Sequence, residues 1–140
     1  MKKALAASLA LALLISAAVP ALAVRFSSLS ELQRFLLKKS PDTIAATAPH
    51  SVDIFGTVQE IRWCGANNHY ELTLRVDDPD ALAPIGAGGP QLVVHFRLHR
   101  EQLPAAVGDT IAVSGSLNEL YSSVMVPWIL AGTINGSSDF

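Results

Sequence analysis

The chain has 140 residues, with 10 basic and 12 acidic side chains, four His, a single Cys, and half of its residues apolar. One cysteine excludes an intramolecular disulfide framework, so a hydrophobic core must hold the fold. A net charge of −2 gives no long-range attraction for polyanions.

The apolar excess is concentrated at the start. Lys2 and Lys3 precede an almost unbroken apolar run over residues 4–19, interrupted only by Ser8 and Ser16. Pro20 breaks the run, and Ala21-Leu22-Ala23 has the small-x-small form that signal peptidase accepts. The run is also about long enough to span a bilayer, so an uncleaved anchor is the competing expectation. Its richness in Ala, the break and the cleavage box favour removal. No Cys follows the run, which argues against a lipoprotein. Residues 1–23 are therefore read as a signal peptide, with a mature periplasmic or secreted chain starting at Val24 and keeping no stable membrane span. Taking 23 residues from 140 leaves 117, one ordinary small domain. Lys2 and Lys3 leave with the leader, so 8 basic side chains face 12 acidic ones, a balance of about −4.

Residues 24–50 are expected to form a helix and a linker. Ser28-Leu29-Ser30-Glu31 has the form of a capping box. Leu29, Leu32, Phe35 and Leu36 follow at helical spacing, Lys38 and Lys39 suit a helix C-terminus, and Pro41 stops the segment. The spacing predicts one amphipathic helix over about residues 28–39.

From residue 51 the apolar period falls from 3.6 to 2. Val52, Ile54, Gly56 and Val58 alternate with polar neighbours, and the phase then slips to Ile61 and Trp63. Such a slip is what a β-bulge produces, and Gly56 permits a bend. Gly65 to Asn68 reads as a turn into a second strand carrying Tyr70, Leu72, Leu74 and Val76. Residues 77–90 read as a loop that Ile85 pins to the core. The third strand is expected over residues 91–100, with Leu92, Val94, Phe96 and Leu98 on one face and Val93, His95, Arg97 and His99 on the other. Val107-Gly108-Asp109 turns into a fourth strand over 110–117, and the last spans 124–134. Pro127 inside it points to an edge or a bulge. Residues 135–140 read as a flexible tail.

Five short, evenly spaced strands with a bend in the first suggest a small closed barrel. Phe55-Gly56-Thr57-Val58 and the run from Val107 to Leu117 (VGDTIAVSGSL) resemble the G-x-V first strand and V-G-D-x-I-x-V-x-G fourth strand of OB-fold domains. The resemblance covers residues 51–134. It implies an all-β fold, a small five-stranded OB-like barrel with one N-terminal amphipathic helix. OB-folds usually place a helix between strands three and four, where residues 101–106 leave room for barely one turn. The N-terminal helix is expected to cover the open barrel end instead.

In ligand-binding OB domains the outer face of strands two and three and the loops bordering it form the site. Carried onto this chain, the resemblance implies a ligand-binding set of Arg62, Trp63, Arg75, His95, Arg97, His99 and Tyr121, beside Glu71, Thr73, Asn67, Asn68 and Asn118. Three arginines with a few aromatics give a partial signature of single-strand binding. Charge and compartment do not favour nucleic acid as the ligand.

His95 and His99 share a strand face but stand about 13 Å apart at roughly 3.3 Å per residue, too far for one ion. Cys64 and His69 flank a turn and can approach across it, but two ligands do not define a site, so no metal and no cofactor is expected. Asp77-Asp78-Pro79-Asp80 lacks EF-hand spacing and reads as a solvated turn. No Cys-x-x-Cys-His haem attachment motif and no nucleophile elbow occurs. The expectation is a non-enzymatic exported binding module for an unknown ligand or protein partner. A structural or assembly subunit of an envelope or secreted oligomer, with strand edges near Pro127 covered by a neighbour, is the alternative.

Overall fold

A computed structural model describes residues 24–38, 50–98 and 102–140. The leader, Lys39, Pro41 and His99 lie outside the described residues. In chain order the elements are β1 (Arg25–Phe26), α1 (Leu29–Lys38), β2 (Ser51–Cys64), β3 (His69–Arg75), β4 (Gln91–Phe96), β5 (Thr110–Leu117) and β6 (Trp128–Ile134). Strands β2 to β6 are the five expected from the alternation.

The strand order is β1-β2-β3-β4-β6-β5, and a further β2–β5 pairing closes the barrel. β2 is long enough to serve two neighbours. Its first half pairs with β5, from Ser51↔Ser116 to Thr57↔Thr110, and its second half pairs with β3, from Thr57↔Arg75 to Cys64↔His69. The strand turns from one neighbour to the other near Gly56, where an added Cβ would stand 2.9 Å from Leu74 Cβ. The predicted slip is a register shift between Val58 and Glu60, and it brings Ile61 back towards the core. β4 and β6 run parallel, from Val93↔Trp128 to His95↔Leu130, while the other barrel pairings are antiparallel. This is the expected OB-like all-β architecture. In the turn before β5, Gly108 has φ 93° and donates to the Val58 carbonyl at 2.8 Å, as the Asp109 carbonyl accepts from Val58 N–H at 2.8 Å.

Inward residues of every barrel strand fill one core: Val52, Ile54, Val58, Leu72, Leu74, Leu92, Val94, Phe96, Ile111, Val113 and Ile129 are all essentially inaccessible. α1 joins that core through Leu29 and Leu32, both fully buried, with Phe35 and Leu36 packed partly against it. The Glu31 N–H donates to Ser28 Oγ at 3.3 Å, one half of the predicted capping box. The other caps come from the β3–β4 loop. Asp78 accepts the Ser30 N–H at 2.9 Å, and the buried Gln33 exchanges two hydrogen bonds with the Leu82 backbone. Burial on its own would raise the Asp78 carboxyl, but the bonds from Ser30 and Asp80 and the charge of Arg34 hold it below its ordinary value.

Several expectations are corrected. Ile85 is fully exposed, so the β3–β4 loop is pinned by Asp78 and Gln33 rather than by an apolar plug. β4 ends at Phe96, short of residue 100. β6 begins at Trp128, so Pro127 lies before the strand. Pro127 is buried and its carbonyl accepts from Val93 N–H at 3.0 Å, so the backbone there pairs with β4 and is not an open edge. The tail turns at Asn135 and Gly136 and brings Phe140 back against Phe96, ring centroids 5.4 Å apart. Residues 102–106 contain no helix.

Candidate functional site

The strand registers fix which side chains share the outer surface. One row runs Arg62–Glu71–His95–Leu130 across β2, β3, β4 and β6, and the next runs Glu60–Thr73–Val93–Trp128. Cys64 and His69 form the last pair of the β2–β3 hairpin, on the same face because residues two apart in a strand point the same way.

The β5–β6 loop is tied back onto this surface. Ser122 Oγ accepts the Trp128 N–H at 2.8 Å and lies 2.7 Å from the Asn118 carbonyl, to which it donates, and Asn118 N–H donates to the Trp128 carbonyl at 2.8 Å. That closure sets Tyr121 beside Trp128, centroids 5.8 Å apart, and 6.0 Å from His95. Trp128 meets His95 edge-on at 4.4 Å, and His95 stacks on His69 at 4.5 Å with 16° between planes. The four rings make a continuous step from the loop to the hairpin tip. Tyr121 is 54% exposed, and Leu120, Met125 and Leu130 are exposed around it.

Beside the step lies a small polar cluster. Arg62 Nη2 and Nε both donate to Glu71 Oε2, at 2.6 and 3.2 Å, while Glu71 is largely buried. Burial would raise the Glu71 carboxyl. The bonds from Arg62 and Cys64, the Arg62 charge and the bond from His69 outweigh it and hold the group below its ordinary value. Burial, then the neighbouring carboxylate, pushes the Cys64 thiol up, with Arg62 pulling the other way. Burial, then His69, holds His95 below the usual histidine range, so its ring is a neutral aromatic surface.

Of the residues predicted to contact a ligand, Arg62 and Tyr121 stand on the outer surface as expected. Arg75 is exposed at the far end of β3, and Arg97 is exposed just beyond β4. Trp63 is not on their face. One residue from Arg62, it points to the core side and packs on Tyr70 at 4.7 Å, half-exposed at the barrel rim. His95 has the predicted facing but only 5% exposure, because Trp128 and Tyr121 lie against it. His99 lies outside the described residues. Sequence reasoning missed Trp128 as part of the surface and missed Glu71 as the group that joins Cys64 to His69. The length of the turn at Gly65–Asn68 was the available signal, since it sets the pairing of 64 with 69 and of 62 with 71.

Neither a protein-family model nor a curated protein matches this chain. Among solved structures, that of yeast Stn1 and Ten1 is similar, with a TM-score of 0.49 and 14% identity over 81% of this chain and 62% of the other. The chain thus spans less than two thirds of the length of the chain it resembles there.

Proposed function

We propose that this protein is an exported, non-enzymatic OB-type binding module whose contact surface is the outer face of β3 and β4 bordered by the β5–β6 loop. The observation that carries the reading is the aromatic step of Tyr121, Trp128 and His95, held rigid by Ser122 and ringed by exposed Leu120, Met125 and Leu130. An apolar patch of that kind, rimmed by the charged Arg62 and Glu60, has the anatomy of a protein or ligand contact. Export is supported by the leader, and the first described residues already join the fold: Val24 N–H donates to His50 Nδ1 at 3.0 Å, and β1 follows at once. Cleavage after Ala23 leaves every one of these contacts intact. No helix among the described residues is long and apolar enough to cross a membrane.

The arginines on this face are separated rather than gathered into a groove, and the mature chain is acidic, so the partner is read as a protein or small ligand rather than nucleic acid. Titration of a fluorescein-labelled single-stranded oligonucleotide at low salt tests this. The expected outcome is no saturable binding below about 100 μM. Tighter binding, weakened together by Tyr121→Ala, Arg75→Ala and Arg97→Ala and falling steeply with salt, replaces this reading with a nucleic-acid one.

A further inference from the structure

At the tip of the β2–β3 hairpin, Cys64, His69 and Glu71 bring a sulfur, a ring nitrogen and a carboxylate oxygen within 4.8 Å of one another. The hairpin register produces this cluster: Cys64 faces His69 across the last pair, and Glu71 follows two residues later on the same face. The four-residue turn keeps the set compact in sequence as Cys-x4-His-x-Glu.

The contacts around it suit a metal ion. His69 Nδ1 lies 3.4 Å from the Asn67 carbonyl oxygen, which only accepts, so an Nδ1–H can donate there and leave Nε2 to serve as a ligand. In that tautomer Nε2 presents a lone pair to the cluster. Nε2 is shut off from solvent, and its nearest polar neighbour is Glu71 Oε1 at 3.5 Å. A proton on Nε2 or a metal ion held by both groups joins this nitrogen to the carboxylate. Arg62 does not fill that place, because both of its donors go to the other oxygen, Oε2. A backbone carbonyl on the far nitrogen is also the arrangement that commonly orients a metal-bound histidine. The stacked His95, almost wholly buried and with its own Nε2 unpartnered, fixes the plane of the His69 ring.

We propose that Cys64 Sγ, His69 Nε2 and Glu71 Oε1 bind one zinc-class divalent ion, with a fourth position left to water or a partner's donor. The mixed sulfur, nitrogen and oxygen set suits zinc and fits neither calcium nor magnesium, which take oxygen ligands. Donors around a tetrahedral zinc stand about 3.3 to 3.8 Å apart. The cluster therefore needs to contract by about an ångström, a shift within reach of side-chain rotation. As the sulfur–zinc bond forms, the Cys64 thiol proton passes to solvent. The site stands independently of the binding-face reading.

The test is titration of the untagged full chain, kept reduced, with Co2+ and then Zn2+. The expected result is one cobalt per chain, with a thiolate-to-cobalt charge-transfer band in the near ultraviolet and visible bands of a four-coordinate ion, both lost when zinc is added. Cys64→Ser abolishes the charge-transfer band. His69→Ala weakens zinc at least tenfold in competition with a chromophoric chelator. Arg62→Ala, which removes no ligand, keeps the one-to-one stoichiometry. The wild-type spectrum decides on its own should a variant fail to fold. Absence of the charge-transfer band in the wild-type chain, or its survival in Cys64→Ser, overturns the proposal.

Discussion

Replacing Gly115 by Ala is expected to cost about 3 kcal/mol, the upper end of what overpacking does. Gly115 lies on β5 where the register with β6 shifts, so that Ser114 faces Thr133 while Gly115 faces Ala131. A Cβ there would sit 2.1 Å from the Leu130 carbonyl oxygen and 2.9 Å from its carbon. Both are backbone atoms of a paired strand, so no side-chain rotation relieves the clash. The β5–β6 ladder must part, and β6 carries Trp128 and Leu130 of the candidate surface. Total stabilities of such domains run to about 5–15 kcal/mol, so the loss takes a large share, roughly 12 °C in melting temperature at about 4 °C per kcal/mol. Gly132→Ala is the control. Its Cβ would meet only the Ser114 oxygen, at an ordinary 3.5 Å, and its effect stays within about 1 kcal/mol. Urea unfolding of both variants reads the difference. Equal stabilities contradict the bulged β5–β6 register.

Leu32→Ala is expected to cost about 3 kcal/mol, as deletion of a fully buried Leu does when the site cannot collapse. α1 has 10 residues, too few for a helix that stands alone in water, so its formation depends on the face it buries. Leu32 is fully inaccessible in that face, beside Leu29, whereas Leu37 is 68% exposed. Leu37→Ala therefore stays within about 0.5 kcal/mol. Denaturant midpoints of the pair read the result. A Leu32→Ala chain as stable as the parent contradicts the claim that the N-terminal helix is part of the barrel core.

The barrel was legible because its signals are local. Alternation in Val52–Val58, Tyr70–Val76 and Ile111–Leu117 marks strands that bury one face, and the slip after Val58 marks the bulge. Leu29, Leu32, Phe35 and Leu36 at helical spacing marked α1 in the same way. What failed was long-range. Ile85 looked like an anchor by its hydrophobicity, but the loop is held by Asp78 and Gln33, whose polar contacts leave no periodic trace. Phe140 looked like the end of a tail, yet Phe96 and the turn at Asn135–Gly136 give it a seat in the core.

The candidate surface was half legible for a related reason. Alternation assigned Arg62, Glu71 and His95 to one side, but the slip after Val58 puts Trp63 on the other. His95 is covered by Trp128 and Tyr121, which come from beyond β5, and strand periodicity says nothing about what a distant loop lays on top. The turn at Gly65–Asn68 makes the approach of Cys64 to His69 legible in the sequence. Glu71 as their third member becomes visible only when the register is combined with its buried, ion-paired carboxylate.

The claim that the β5–β6 loop and the β3–β4 face make the partner contact is tested most directly by photocrosslinking in the protein's own compartment. A benzophenone amino acid at Leu120, 83% exposed beside the aromatic step, is compared with the same residue at Ile85, which is at least as exposed on the β3–β4 loop. The account predicts a discrete adduct of fixed mass from position 120, reduced by Tyr121→Ala, and none from position 85. No adduct from position 120, or equal adducts from both positions, contradicts it.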